Sequence, residues 1–136
     1  MSDKYDEIQA AAAQLPTVPA WLFAAVAIIE TGGGQSSIAQ NSNNLFNIKA
    51  LKADIEKGCF YADKKGVKWA KYSNSKVSFA AFGRLITAYN LGEITPQSFA
   101  QSKYIAGYSQ AQRNQYKKSL QNLIDTYQLK QVFSEK

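Results

Sequence analysis

The chain has 136 residues, 46% hydrophobic and 19% charged, a balance that fits one globular domain around one core and not a disordered chain. It has no histidine and one cysteine, Cys59. This excludes Ser-His-Asp and Cys-His catalysis, zinc sites built on histidine or paired cysteines, and an internal disulfide. The formal charge of +6 favours anionic partners such as nucleic acid, a membrane surface or an acidic wall polymer.

In chain order, Tyr5 to Leu15 reads as a helix with Ile8 and the alanines on one side, broken by Pro16 and Pro19. A second helix, Ala20 to Glu30, is apolar on every face and is expected at the centre of the core. Its run from Ala20 to Ile29 is far short of the about 20 residues that cross a bilayer. It also lies too far from Met1, behind Asp3, Asp6 and Glu7, to be a secretory signal. Gly32, Gly33 and Gly34 end that helix; Gln35 to Gln40 is a short helix and Asn41 to Asn44 a polar loop. Residues 57 to 72 read as a β-hairpin turning at Asp63-Lys64-Lys65-Gly66, with Cys59 as a small core hydrophobe. Helical spacing returns at Val77 to Tyr89. Thr95-Pro96 caps a helix through about Lys103. The last helix is expected over Ser109 to Leu129, with Tyr116, Leu120, Leu123, Ile124 and Tyr127 inward. The reading is a mainly helical α+β domain, residues 1–136, with one small hairpin lobe.

Without histidine, acid/base chemistry falls to carboxylates, tyrosines or lysines, and the chain has ten carboxylates. Glu30 is conspicuous among them. It closes a helix with no other charge and faces the negative end of the helix dipole beside Ile28 and Ile29. Both surroundings disfavour its ionised form and raise its pKa, as a proton donor for glycosidic cleavage requires. In the competing reading Glu30 turns outward and stays solvated, and the glycines only cap the helix.

Residues Glu30-Thr31-Gly32-Gly33-Gly34-Gln35-Ser36-Ser37-Ile38-Ala39 and Asn43-Asn44-Leu45-Phe46-Asn47-Ile48-Lys49 resemble a known pattern. It is that of the peptidoglycan glucosaminidases of flagellar wall hydrolases, bacterial autolysins and phage lysins. That pattern reads roughly Glu-Ser-Gly-x-Gly-x-Ser-x-Leu-Ala, a short spacer, then Asn-Asn-Leu-Phe-Gly-Ile-Lys. Weaker likeness continues at Tyr72-Ser73, Ser78-Phe79, Ala106-Gly107-Tyr108, Tyr116 and Leu120, so it spans roughly residues 18 to 129. The departures are Gly33 for an aromatic, Asn47 for a glycine, and Val77 for a frequent carboxylate.

The resemblance implies a lysozyme-like fold, helices around a cleft bordered by the hairpin, acting on peptidoglycan strands without metal or cofactor. It makes Glu30 the general acid and places Asn44, Phe46, Tyr108 and Tyr116 at the substrate. Asn44 could instead be a turn former and Tyr116 a core aromatic, but the motif favours cleft roles for both; for Phe46, Trp69 and Trp21 packing is favoured. A second acid is sought in Glu56 or Asp63, with Asp54 third; Asp63 is also a plain turn former and Glu56 a plain surface residue. If neither reaches the cleft, the substrate's N-acetyl group takes that part.

The expected activity is hydrolysis of the β-1,4 bond between N-acetylglucosamine and N-acetylmuramic acid. A muramidase, a lytic transglycosylase and an inactive wall-binding module are the alternatives. Nucleic acid is not an expected partner, because Lys64, Lys65, Lys68, Lys71, Arg113, Lys117 and Lys118 accompany no recognition motif. A monomer is expected that does not insert into membranes. With no signal peptide read at its start, it would reach the bacterial wall by phage lysis or a secretion system.

Overall fold

The computed structural model describes residues 4–134; Asp3, counted above, lies outside them. The helices are α1 (Tyr5–Gln14), α2 (Ala20–Thr31), α3 (Ser37–Ser42), α4 (Lys52–Glu56), α5 (Ser75–Tyr89), α6 (Pro96–Ala100), α7 (Gln110–Thr126) and α8 (Leu129–Val132). Strands β1 (Phe60–Ala62) and β2 (Lys68–Ala70) pair antiparallel, with Tyr61 opposite Trp69. The architecture is therefore mainly helical with a small hairpin lobe, as the sequence implies. No helix among the described residues is long and apolar enough to cross a membrane.

An all-apolar helix is stable in water only when every face is covered. Accordingly α2 is wrapped by α1, α5, α7 and α8, and Leu22 through Ala27 are fully buried. Phe23, Phe46, Phe79, Phe82 and Phe99 fill the space beside it, and Phe46 stacks on Phe82 with centroids 4.2 Å apart. Gly83 marks the closest approach in this core: a Cβ there would lie 2.4 Å from Leu15 Cδ1 and 3.0 Å from Phe23 Cζ.

Several boundaries differ from the sequence reading, each for a local reason. Helix α3 starts at Ser37 instead of Gln35 because Ser36 is its N-cap, its Oγ accepting from Ala39 N. Helix α5 starts two residues early because Asn74 caps it through Val77 N. Helix α4 was not anticipated: five residues carry no apolar stripe, and Asp54 Oδ2 ties its start by accepting from Leu51 N. Helix α6 stops at Ala100, and a 3-10 turn over Lys103–Ile105 follows.

Two inward assignments are corrected. The last helix breaks at Tyr127 because Gln128 is left-handed (φ 50°), which turns Tyr127 out to solvent at 55% exposure. Cys59, expected in the core, is exposed ahead of β1, since a two-stranded hairpin has too little interior to hold it.

Candidate active site

The end of α2 and the loop after α3 are built as one unit. Gly32, Gly33 and Gly34 all take positive φ, and at Gly34 (φ 96°) only glycine is unstrained. This tight exit lets Thr31 Oγ1 donate to Leu45 O (2.8 Å) while accepting from Gly34 N (3.1 Å). The Asn-Asn-Leu-Phe segment is thereby held against the last turn of α2, where Glu30 sits.

Beside that turn lies an open cleft of about 500 Å³. Glu30, Phe46 and Asn47 line it, with Lys49 and Trp69 from the hairpin side and Lys103, Tyr104 and Tyr108 from the other. Among the described lining residues Glu30 is the one carboxylate. A second concavity of similar volume, walled by Tyr5, Ile28, Tyr127 and Phe133, is apolar and offers no acid or base suited to hydrolysis.

Glu30 does not turn out to water. Tyr116, arriving from α7, donates its hydroxyl to Glu30 Oε2 at 3.2 Å. Asn47 Nδ2 reaches Glu30 O at 3.0 Å and Oε1 at 3.5 Å. Burial pushes the Glu30 carboxyl above its ordinary pKa, and the Tyr116 and Asn47 hydrogen bonds pull it back only part of the way. Tyr116 is raised by its own burial and by the neighbouring Glu30 charge, so it stays a neutral donor. A desolvated acid with two neutral donors and no cation in contact is suited to delivering a proton.

Residues 6–129 match the glucosaminidase family model, described as mannosyl-glycoprotein endo-beta-N-acetylglucosaminidase. The chain belongs to this family. The catalytic domain of the autolysin Auto from Listeria monocytogenes shares the glucosaminidase's fold, with a TM-score of 0.69 at 20% identity. The match covers 96% of this chain and 84% of that one. No curated protein sequence matches it.

The remaining candidates separate sharply within this glucosaminidase. Asn44 is 0% exposed and both its amide atoms bond to backbone, an arrangement that favours a clamp over direct contact with a sugar. Phe46 is nearly as buried; its ring packs under the cleft, and its carbonyl accepts from Tyr104 Oη at 2.8 Å. Tyr108 is 45% exposed, lines the cleft and meets Tyr116 edge to face. Neither second-acid candidate lines the cleft. Glu56 is on exposed α4, 4.0 Å from Lys52. Asp63 is folded into the hairpin turn, accepting from Lys65 N and Val67 N (2.9 Å each) and from Trp69 Nε1 (3.1 Å). These bonds, Trp69 foremost, lower its pKa, the reverse of what a proton donor needs.

Sequence reasoning passed over Lys49, Lys103 and Tyr104 as cleft residues, read Trp69 as packing, and noted Asn47 only as a change to the cleft floor. Asn47 had a usable signal: it replaces the pattern's glycine, and asparagine is among the few residues tolerated at its positive φ of 52°. That replacement gives Glu30 an extra donor. Tyr116→Phe or Asn47→Gly removes a bond that favours the carboxylate, so the Glu30 pKa should rise further. Because a general acid works protonated, the alkaline limb of the rate profile should move to higher pH in both variants. An unmoved or acid-shifted limb in kcat against pH would contradict this assignment of the bonds.

Proposed function

We infer that this chain hydrolyses bacterial peptidoglycan at the β-1,4 bond between N-acetylglucosamine and N-acetylmuramic acid, with Glu30 as general acid. Its family supplies the bond class, an N-acetylglucosaminide, and the autolysin sharing its fold suggests the wall as target. The observation that carries the reading is the desolvated Glu30 carboxyl beside an open cleft, hydrogen-bonded by Tyr116 and Asn47.

Most retaining and inverting glycosidases use a second carboxylate facing the first across the scissile bond, and substrate-assisted ones replace its nucleophilic role with the sugar's acetamido group. Glu30 has no such partner among the residues described around the cleft. The substrate's own acetamido oxygen then serves as nucleophile. Glu30 gives its proton to the glycosidic oxygen, the C1–O bond breaks, and the acetamido oxygen closes on C1. In the second half a water attacks C1, its proton passes to the Glu30 carboxylate, and the ring reopens to the N-acetyl sugar. Tyr116 keeps the carboxyl oriented through both halves.

The same single acid also supports a lytic transglycosylase, in which a sugar hydroxyl replaces water, or a muramidase. Mass spectrometry of digested sacculi separates the three. The expected product has a reducing N-acetylglucosamine end; reducing muramic acid or anhydro-muramic ends would overturn the bond assignment in favour of one alternative.

A further inference from the structure

The hairpin wall of the cleft carries an ordered row of side chains. Residues opposite one another in antiparallel pairing project from the same face of a sheet. Trp69 in β2 lies opposite Tyr61 in β1 on one side and opposite Lys49 on the other. Lys49 is held there as an added edge by Ala50 N to Lys68 O and Ala70 N to Ile48 O, both 3.0 Å. Trp69 and Lys49 both line the cleft that contains Glu30.

The indole is fixed at its polar edge, is half-buried, and lines the cleft. Its Nε1 donates to Asp63 Oδ2, and Asp63 Oδ1 is anchored by two backbone N–H groups of the turn. An aromatic whose N–H is already satisfied can offer its face to an apolar surface without a desolvation penalty. Lys49 is exposed, and no carboxylate among the described residues lies within 4 Å of it. Neighbouring strands are about 4.7–4.9 Å apart. A sugar ring resting on Trp69 therefore brings its substituents within reach of the Lys49 ammonium. The charged residues lining the cleft are Lys49, Lys103 and Glu30, two cations against one carboxylate, so the cleft favours an anionic ligand.

We propose that Trp69 and Lys49 form a subsite for an acidic N-acetylhexosamine, the indole packing on the sugar's apolar face and the ammonium pairing with its carboxylate, while Asp63 is the positioning residue that fixes the indole. The subsite rests on the glycan-cleavage reading and adds to it a preference for strands that carry carboxylates. The carboxylate belongs either to the sugar's own lactyl ether or to a peptide attached there; the chemistry recognised is the same.

The test uses the full chain with Glu30→Gln to stop turnover and Trp21→Phe so that emission reports Trp69, the other of the two tryptophans. Three ligands are titrated: a neutral N-acetylglucosamine tetramer, a peptide-free N-acetylglucosamine–N-acetylmuramic acid tetramer, and the same tetramer bearing peptide. At low salt an acidic ligand should bind about 5-fold more tightly than the neutral one, the scale of one exposed ion pair, and added salt should erase the difference. Preference for the peptide-free acidic ligand assigns the contact to the lactyl carboxylate; preference appearing only with peptide assigns it to the peptide. Lys49→Met should abolish the preference and leave neutral binding intact, whereas Lys103→Met should retain it.

Trp69→Ala, followed by isothermal titration calorimetry because the substitution removes the reporting indole, should weaken all three ligands about 10-fold, with Trp69→Phe, read the same way, recovering part of the loss. Asp63→Asn should shift Trp69 emission and raise KM in the Glu30 background more than it lowers kcat. A preference that survives Lys49→Met, or falls equally with Lys103→Met, overturns the subsite, as does undiminished binding by Trp69→Ala. If the parent binds neutral and acidic strands alike, only the subsite fails; if it binds none of the three, the glycan-cleavage reading fails with it.

Discussion

Glu30→Gln should abolish wall hydrolysis, with a loss of about 100- to 10,000-fold, the usual contribution of a positioned general acid. The substitution keeps the shape of the side chain and an oxygen to accept from Tyr116 Oη, so the cleft should remain formed. It removes the transferable proton and, by putting an amide NH2 opposite Asn47 Nδ2, the weaker of the two side-chain hydrogen bonds to the carboxyl. Its effect on stability should carry the opposite sign. A carboxyl whose folded pKa is raised by burial contributes stability fully below its unfolded pKa of about 4.3, and loses it as pH rises through the higher folded value. Wild type therefore bears at neutral pH the cost of holding a titrating carboxyl in a partly desolvated site, and the amide does not. The variant should unfold at a higher temperature than wild type near pH 7, and the gap should close as pH falls below the unfolded pKa. Purified variant that still lyses sacculi at more than a tenth of the wild-type rate would remove Glu30 from the chemistry. An equal gap at every pH would mean that its charge is not the source of the stability difference.

Glu30 was legible in sequence because the clues are local: one charge closing an apolar helix, followed by three glycines that cannot continue it. Its partner Tyr116 stands 86 residues away, and no spacing rule connects them; only the family pattern brought the two together. Trp69 was read as packing because alternation in a three-residue strand does not say which face meets the cleft. The answer depends on Lys49 pairing with β2 from outside the hairpin, a contact across 20 residues. Asp63 was weighed as an acid and as a turn former, and its oxygens are taken by the turn and the indole. Helical periodicity ran on past Thr126 because Gln128 takes a left-handed conformation without the glycine that would announce it. The apolar α2 stood out for a physical reason of its own, since burial of every face is the one arrangement in which such a helix is tolerated in water.

Asn44→Ala should be the most destabilising single change near the site, costing about 3 kcal/mol or more, because leaving one buried polar group unpaired costs about 1–3 kcal/mol and three lose their partner. Asn44 Nδ2 donates to Ile48 O (2.8 Å) and Ala70 O (2.9 Å), and Oδ1 accepts from Ile48 N (3.1 Å) and Phe46 N (3.3 Å). One side chain thus replaces the secondary structure that the loop between α3 and α4 lacks, and clamps that loop to the hairpin. Alanine leaves Ala70 O, Ile48 N and Phe46 N without these partners, and Ile48 O with Ala70 N alone, around a position that is 0% exposed. Asp is no substitute, because a carboxylate cannot donate to the two carbonyls and would face them as a buried negative charge. Both variants should show a thermal midpoint lowered by about 10 °C or more for a chain of this size. Hydrogen exchange should accelerate first at Ile48 and Ala70, where the clamp meets the hairpin. Activity should fall as well, since Phe46 and Asn47 hang from the same loop and Asn47 is one of the two donors to Glu30. This outcome distinguishes a clamp from a sugar contact. An asparagine that touched only substrate would leave the melting curve unchanged and raise KM, and a loss of stability below about 1 kcal/mol for Asn44→Ala would restore that role.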